Sequence, residues 1–264
     1  MPRPGCGYGI VMSKPLFEKY ADDYASSRPG YPAEIKSLLK EKFCTGSCPV
    51  FLDIACGTGI FTQLMSDGCC NQLCIGVDSS FSLLRSGIDY YDKIAYVPVC
   101  GRGERLPLKP DSCDLVTVAQ GFHWMHRHDS LTEILRVLKP GAGVGLIWYR
   151  RKDLTAPHQA YIEELTRHYN PNYDPKFMDA DYMGMLIDDG RFDDIGQKLF
   201  YDSKSFNLDT YIRWQRSKSF IGDAIEPDLL EEFLQKVRAK MPAFFPNGVI
   251  VEEFKYDVVW GRKK

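Results

Sequence analysis

Between residues 50 and 150 short apolar runs alternate with stretches of helical spacing, and this alternation limits the possible folds more than any other feature. Val50 to Ile54, Leu73 to Val77, Ile94 to Val99, Cys113 to Ala119 and Gly143 to Tyr149 read as strands. Phe61 to Met65, the segment that Ser79 or Ser80 can cap and that runs to about Ile88, and Ser130 to Leu138 read as helices. Lys139-Pro140-Gly141 stops the last of these. Short strands that are apolar throughout belong in a parallel sheet with both faces covered by helices. The expected fold class is therefore α/β. At 264 residues the chain can bury one substantial core, with or without an inserted cap.

The flanks read differently. Leu16, Phe17, Tyr20 and Tyr24 have helical spacing, Arg28-Pro29-Gly30-Tyr31-Pro32 breaks it, and Glu34 to Phe43 resumes it with Ile35, Leu38, Leu39 and Phe43 on one face. After Tyr149 the strand–helix rhythm stops. The expected organisation is a loose N-terminus over 1–12 and a single domain over 13–264. Within it, 13–49 form a helical lid, 50–150 a cofactor-binding core, 151–197 and 207–247 cap helices, and 198–206 and 249–260 the final strands.

Composition narrows the partners. The apolar fraction is 44% and the charged fraction 26%, as in an ordinary soluble globular protein. The net charge of −2 counts against nucleic acid as a partner. No apolar run reaches the ~18 residues of a membrane span, and the first residues lack an apolar signal-peptide core. A cytoplasmic protein, monomeric or homodimeric and without a membrane partner, is expected. Nine cysteines with no Cys-x-x-Cys pair read as reduced structural thiols. His126, His128 and Asp129 lie close together, but no further ligand stands at a telling spacing, so no metal is expected.

The strongest local signal is Asp53-Ile54-Ala55-Cys56-Gly57-Thr58-Gly59, in which a strand enters, glycines turn and a helix leaves. Such a loop lets a ligand approach the backbone and meet the unpaired amides of a helix start. The dinucleotide fingerprint asks for Gly or Ala where this chain has Thr62. Asp53 would repel a pyrophosphate and attract a cation. Asp78 ends the second strand, where an acid takes ribose hydroxyls at the rim of a doubly wound sheet. Together these favour an adenosine-type cofactor that carries a cation rather than a nicotinamide dinucleotide.

The loop is followed in order by Gly76-Val77-Asp78, by Gly103-Glu104-Arg105-Leu106-Pro107-Leu108, by Ala119-Gln120-Gly121-Phe122-His123-Trp124 and by Glu133 to Gly141. This succession resembles the class I S-adenosylmethionine methyltransferases of the type 11 group over about residues 15–150. Phe17-x-x-Tyr20-x-x-x-Tyr24 with Arg28-Pro29-x-Tyr31-Pro32 resembles the branch that holds trans-aconitate methyltransferases. The resemblance implies a Rossmann-like fold: a mostly parallel seven-stranded sheet, its last strand antiparallel, with a helical cap over the active site. It implies S-adenosylmethionine as cofactor and a small-molecule acceptor. By position, Asp53, Gly57 and Gly59 would surround the methionine part, Asp78 with Ser79 beside it the ribose, and Gly103 and Glu104 the adenine. Ala119 and Gln120 would face the sulfonium. Arg102 stands where relatives often have an acid, and Gly121 where Ala is frequent.

Substrate contact is expected of Tyr20, Tyr24, Arg28, Tyr31, His123 and Trp124. Arg28 reads either as a fork for a carboxylate or as a helix cap. Tyr20 and Tyr24, one turn apart, read as a lid or as packing. His123 reads as a base near neutral pH or as a pocket wall. Tyr161, Tyr169, Tyr173, Phe177, Tyr182, Trp214 and Phe220 suggest an aromatic acceptor pocket or the core of the cap. An oxygen acceptor, a carboxylate first, is favoured over nitrogen or sulfur. A non-catalytic cofactor-binding protein is the competing class.

Overall fold

Seven strands of the chain pair in the order β3-β2-β1-β4-β5-β7-β6, and this order fixes where a ligand can sit. The computed structural model describes residues 18–264 apart from 45, 47, 69–71, 92 and 176–180. The expectations for 1–12, Leu16, Phe17, Cys69, Cys70 and Phe177 lie outside the described residues. Helices α1 (Ala21–Ser27) and α2 (Ala33–Phe43) lead into β1 (Val50–Ile54), α3 (Ile60–Ser66), β2 (Leu73–Asp78), α4 (Phe81–Tyr90) and β3 (Val97–Cys100). Next come β4 (Cys113–Ala119), α5 (Arg127–Val137) and β5 (Leu138–Arg151). The later part adds α6 (Pro157–Tyr169), α7 (Tyr182–Asp189), β6 (Phe192–Phe206), α8 (Leu208–Arg216), a π-helical turn (Ser219–Asp223), α9 (Pro227–Phe244) and β7 (Ile250–Lys263).

Strands β1 to β5 are parallel to one another, and β7 runs antiparallel between β5 and β6. Leu52 pairs with Ile75 on one side and Val116 on the other. The chain reverses its direction of travel across the sheet between β1 and β4. In such sheets a crevice opens there, at the carboxyl ends of the strands.

Helices cover both faces, as fully apolar strands require. On one face Ile35, Leu39, Phe61, Ile162, Trp214 and Phe233 pack with Ile147, Tyr149 and Phe254. On the other, Leu131, Ile134 and Leu186 pack with Leu52, Val116 and Val144. Burying each such side chain contributes ~1.5–3 kcal/mol.

The structure redraws four boundaries. The strand expected from Ile94 begins at Val97, because Tyr96 turns inward and its ring fills the space above Gly59. The strand expected from Gly143 begins at Leu138 and runs through Gly141, whose φ of +74° accommodates the turn of the backbone. Strand β6 begins at Phe192 rather than Lys198, with its register broken between Asp193 and Gly196. The cap expected over 151–197 divides: α6 packs on the α9 side, whereas Tyr182 and Leu186 of α7 join the opposite face.

Candidate active site

The ends of β1, β2, β3 and β4 bring the glycine loop, Asp78, the Gly103 segment and Gln120 to one rim of the sheet. Gly57 (φ +59°) and Gly59 (φ +83°) adopt the left-handed conformation that favours glycine. A Cβ on Gly59 would stand 2.0 Å from the Tyr96 hydroxyl oxygen, so that glycine serves packing inside the protein. A Cβ on Gly57 would meet only Tyr24 Cε1 at 3.7 Å and Leu83 Cδ1 at 3.9 Å. Gly59 precedes helix α3 and gives it no side-chain cap, which leaves its first amides to other partners.

Asp78 is buried, and each of its oxygens already accepts one amide: Gly57 N at 2.8 Å and Ser80 N at 2.7 Å. A carboxylate offers about four acceptor sites, so half of its capacity remains. Burial pushes its carboxyl up from the usual range, against the pull of these amides. Ser80 caps α4 through Leu83 N, and Ser79 stands exposed beside it. Gly101 N donates to Asp78 O at 2.9 Å, which starts the Gly103–Glu104 segment next to Asp78. Gly103 packs under Met125, and Glu104 Oε1 accepts His126 N at 3.1 Å.

Asp53 lies beneath the loop rather than in the open cleft. It is fully buried, and its oxygens accept the hydroxyls of Thr62 (2.6 Å) and Thr117 (2.8 Å). Burial pushes its carboxyl up to about 7; the two threonines pull it down, and nearby Asp78 adds to the rise. Ala55 (φ +53°) and Gln120 (φ +64°) are left-handed residues at the ends of β1 and β4, where backbone strain collects at functional sites. The Gln120 amide donates to Tyr149 O at 2.6 Å. Gly121 must be glycine here, since its Cβ would stand 2.4 Å from that of Ala55.

Beyond Gln120 a cavity of about 320 Å³ opens between the end of β5, the residues after α8 and β7. Tyr24, Arg28, Gln120, His123 and Trp124 line it, as do Trp148 to Arg151. The Arg28 guanidinium stacks on Tyr24 (4.4 Å) and is anchored to Ser217, donating to its Oγ at 3.0 Å and its carbonyl at 2.7 Å. His123 rests edge-on against Trp148, and burial lowers it to about 3, which keeps the ring neutral.

Two expected contacts do not reach the cavity wall. Tyr20 is the non-helical residue before α1, so its ring leaves the Tyr24 side and lies by Gly222 and Arg216. Tyr31 packs behind the wall against Phe61, Tyr149 and Tyr256. Of the late aromatics, Trp214 and Phe220 line the cavity, and Tyr173 stacks on Phe220. Tyr161 and Tyr169 bond across to α9, and Tyr182 packs on Phe122. Lys218 and the Trp148–Arg151 run were missed in the sequence. The run ends a strand at the sheet rim, which was the available signal; Lys218 carried none.

Residues 52–145 match the methyltransferase domain family. A methyltransferase-like protein of Schizosaccharomyces pombe is 28% identical over 228 residues, 85% of this chain and 84% of the relative. The chain is a class I S-adenosylmethionine-dependent methyltransferase. Its fold matches a type II methyltransferase of Anaeromyxobacter dehalogenans with a TM-score of 0.64, at 16% identity, over 90% of this methyltransferase and 97% of that chain. It also matches phosphoethanolamine N-methyltransferase 2 of Haemonchus contortus, solved in complex with S-adenosyl-L-methionine, with a TM-score of 0.53 at 16% identity, over 95% of this methyltransferase and 60% of that chain. No helix among the described residues of the methyltransferase is long and apolar enough to cross a membrane.

Proposed function

We propose that this methyltransferase moves the methyl group of S-adenosylmethionine to an oxygen of a small molecule in the aromatic cavity, and that the oxygen belongs to a carboxylate. The position of Tyr24 carries the reading. One edge of its ring lies over Gly57 in the glycine loop, and the ring also lines the cavity, so a single side chain separates donor cleft from acceptor pocket.

The residues present fit the cofactor. Gly57 leaves room over the loop, α3 offers uncapped amides, and Asp78 keeps acceptor capacity for vicinal hydroxyls. When bound, S-adenosylmethionine supplies a cationic sulfonium whose methyl is displaced in line. Asp78, with Ser79 beside it, holds the ribose; Gly103 and Glu104 flank the adenine; Gly57 and Gly59 face the methionine part; Ala119 and Gln120 close the sulfonium side. Asp53 acts from below through its field, because both of its oxygens are already bonded. Tyr24, Trp124 and Arg28 position the acceptor, and holding the reacting atoms in line supplies much of the rate. His123 serves as a neutral wall, since a group lowered to about 3 is a weak base. A carboxylate is ionised at neutral pH and needs no base. The likeness of the Tyr24–Arg28 segment to trans-aconitate methyltransferases supports the same acceptor class.

Calorimetric titration with S-adenosylmethionine, its demethylated product and NADH tests the donor. Asp78→Ala is expected to weaken binding of both sulfur compounds at least tenfold, about 1.4 kcal/mol. Asp78→Asn, which keeps an acceptor for the Gly57 amide, controls for loop collapse. Wild-type affinity in both variants would remove the ribose assignment, and binding of NADH alone would remove the donor.

A further inference from the structure

The cavity holds a lysine whose charge has no ionic partner among the described residues. Lys218 precedes the π-helical turn, is only 6% exposed and lines the cavity. Its Nζ donates to the neutral Gln215 Oε1 at 2.7 Å and stands 4.0 Å over the Trp214 ring. No carboxylate lies within ion-pair distance of it among the described residues. The turn holds it there: Gly222 N and Ile221 N both donate to the Lys218 carbonyl, and a Cβ on Gly222 would strike Arg216 O. A buried lysine without a counter-ion is costly, and it is usually paired or neutral.

The charged groups that act on Lys218 come from four segments. Arg28 follows α1, Arg151 ends β5, Glu163 lies on α6 and Glu252 on β7. Glu252 is occupied by Tyr211 and Gln159, and Glu163 by Tyr173 and Arg167. Arg28, Arg150 and Arg151 line the cavity with Lys218, and no carboxylate lines it among the described residues, so a bound anion is favoured there. Much of the remaining wall is aromatic, with Trp124, Trp148, Trp214, Phe220 and Phe254.

We propose that Lys218 selects the acceptor by pairing with the carboxylate of an aromatic monoacid in the cavity. This rests on the methyl-transfer reading above and names the acceptor class for it. Burial and the two arginines push the lysine well below its ordinary value, which favours the amine while the cavity is empty. The acceptor anion then binds together with one proton, giving an ammonium–carboxylate pair with one carboxylate oxygen free to form the new bond. On transfer that oxygen gains the methyl, the sulfonium becomes a neutral thioether, and the ester no longer holds the ammonium. The proton taken up with the acceptor returns to solvent.

The test uses the protein saturated with S-adenosylhomocysteine and titrated with benzoate, phenylacetate and trans-cinnamate. Benzyl alcohol and cinnamamide are the neutral controls, and phosphate and Tris buffers at about pH 8 report proton uptake through their different ionisation heats. The acids are expected to bind at least about tenfold tighter than the neutral controls, with uptake approaching one proton. Lys218→Met is expected to lose both the preference and the uptake, and Lys218→Arg, always charged, to keep the preference without uptake. An unchanged preference in Lys218→Met, buffer-independent binding in the wild type, or no binding of any acid would overturn the proposal. S-adenosylhomocysteine is titrated separately. Its failure to bind the wild type would strike the methyl-transfer reading, while acid titrations of the unloaded protein would still decide the role of Lys218.

Discussion

Replacing Gly121 with alanine sets two rigid groups against each other at the seam between β1 and β4. The added Cβ would stand 2.4 Å from the Ala55 Cβ, whereas methyl carbons in contact sit ~3.5–4 Å apart. The two loops must therefore part by more than ~1 Å, although their strands are locked by the pairing of Ile54 with Val118. Forced overpacking of this kind costs ~1–3 kcal/mol. Ala55→Gly alone is expected to be nearly neutral. It relieves ~1–2 kcal/mol of left-handed strain at φ +53° and costs ~0.5–1 kcal/mol in chain entropy. In the double variant the new methyl enters the space vacated at position 55. The coupling between the two changes is therefore expected to be ~1–3 kcal/mol and stabilising, well above the ~0.5 kcal/mol scatter of independent sites. Urea unfolding of the four proteins at constant slope measures it, and S-adenosylmethionine affinity is expected to fall in Gly121→Ala and recover in the pair. Strict additivity would refute the reasoning, because it would mean that the two loops never touch.

Gly59→Ala is expected to cost ~3 kcal/mol or more, since its Cβ would stand 2.0 Å from the Tyr96 hydroxyl oxygen at a left-handed position; Gly57→Ala should cost only the ~1–2 kcal/mol of left-handed strain, and denaturant unfolding of the two separates them. Asp53 titrates at about 7 in the folded protein, above its ordinary 3.8. The native state thus holds a proton that the unfolded chain has lost, so this group's contribution is complete below about 4 and lost as pH rises through about 7. Asp53→Asn is expected to flatten that fall in unfolding experiments across the window, and an unchanged slope would assign it elsewhere.

The core of the sheet was legible because its grammar is local. Val50–Ile54 and Cys113–Ala119 came out to the residue, since strands buried on both faces are apolar throughout. The place of Asp78 at the end of β2 was legible because the apolar run stops there. The start of β6 was not, since an edge strand facing solvent carries Asp193, Asp194 and Gly196 and reads as loop. Tyr20 was misread because helical spacing says nothing where the residue stands just outside the helix. Lys218 was invisible for a different reason. Its meaning comes from Trp214, Gln215 and the distant Arg28, Arg151 and Glu252, and no spacing within the chain encodes that neighbourhood.

Among the described residues strand β6 pairs with no strand but β7, and β7 is the last of the seven in the chain. During synthesis the first five strands can assemble the donor cleft while β6 has nothing to join. Phe254 and Glu252, both on β7, then bring the final wall of the cavity and the partner of Tyr211. On the function proposed above, the elements that would hold the methyl donor all precede β7 in the chain, and the acceptor wall is complete only with β7 between its two neighbours.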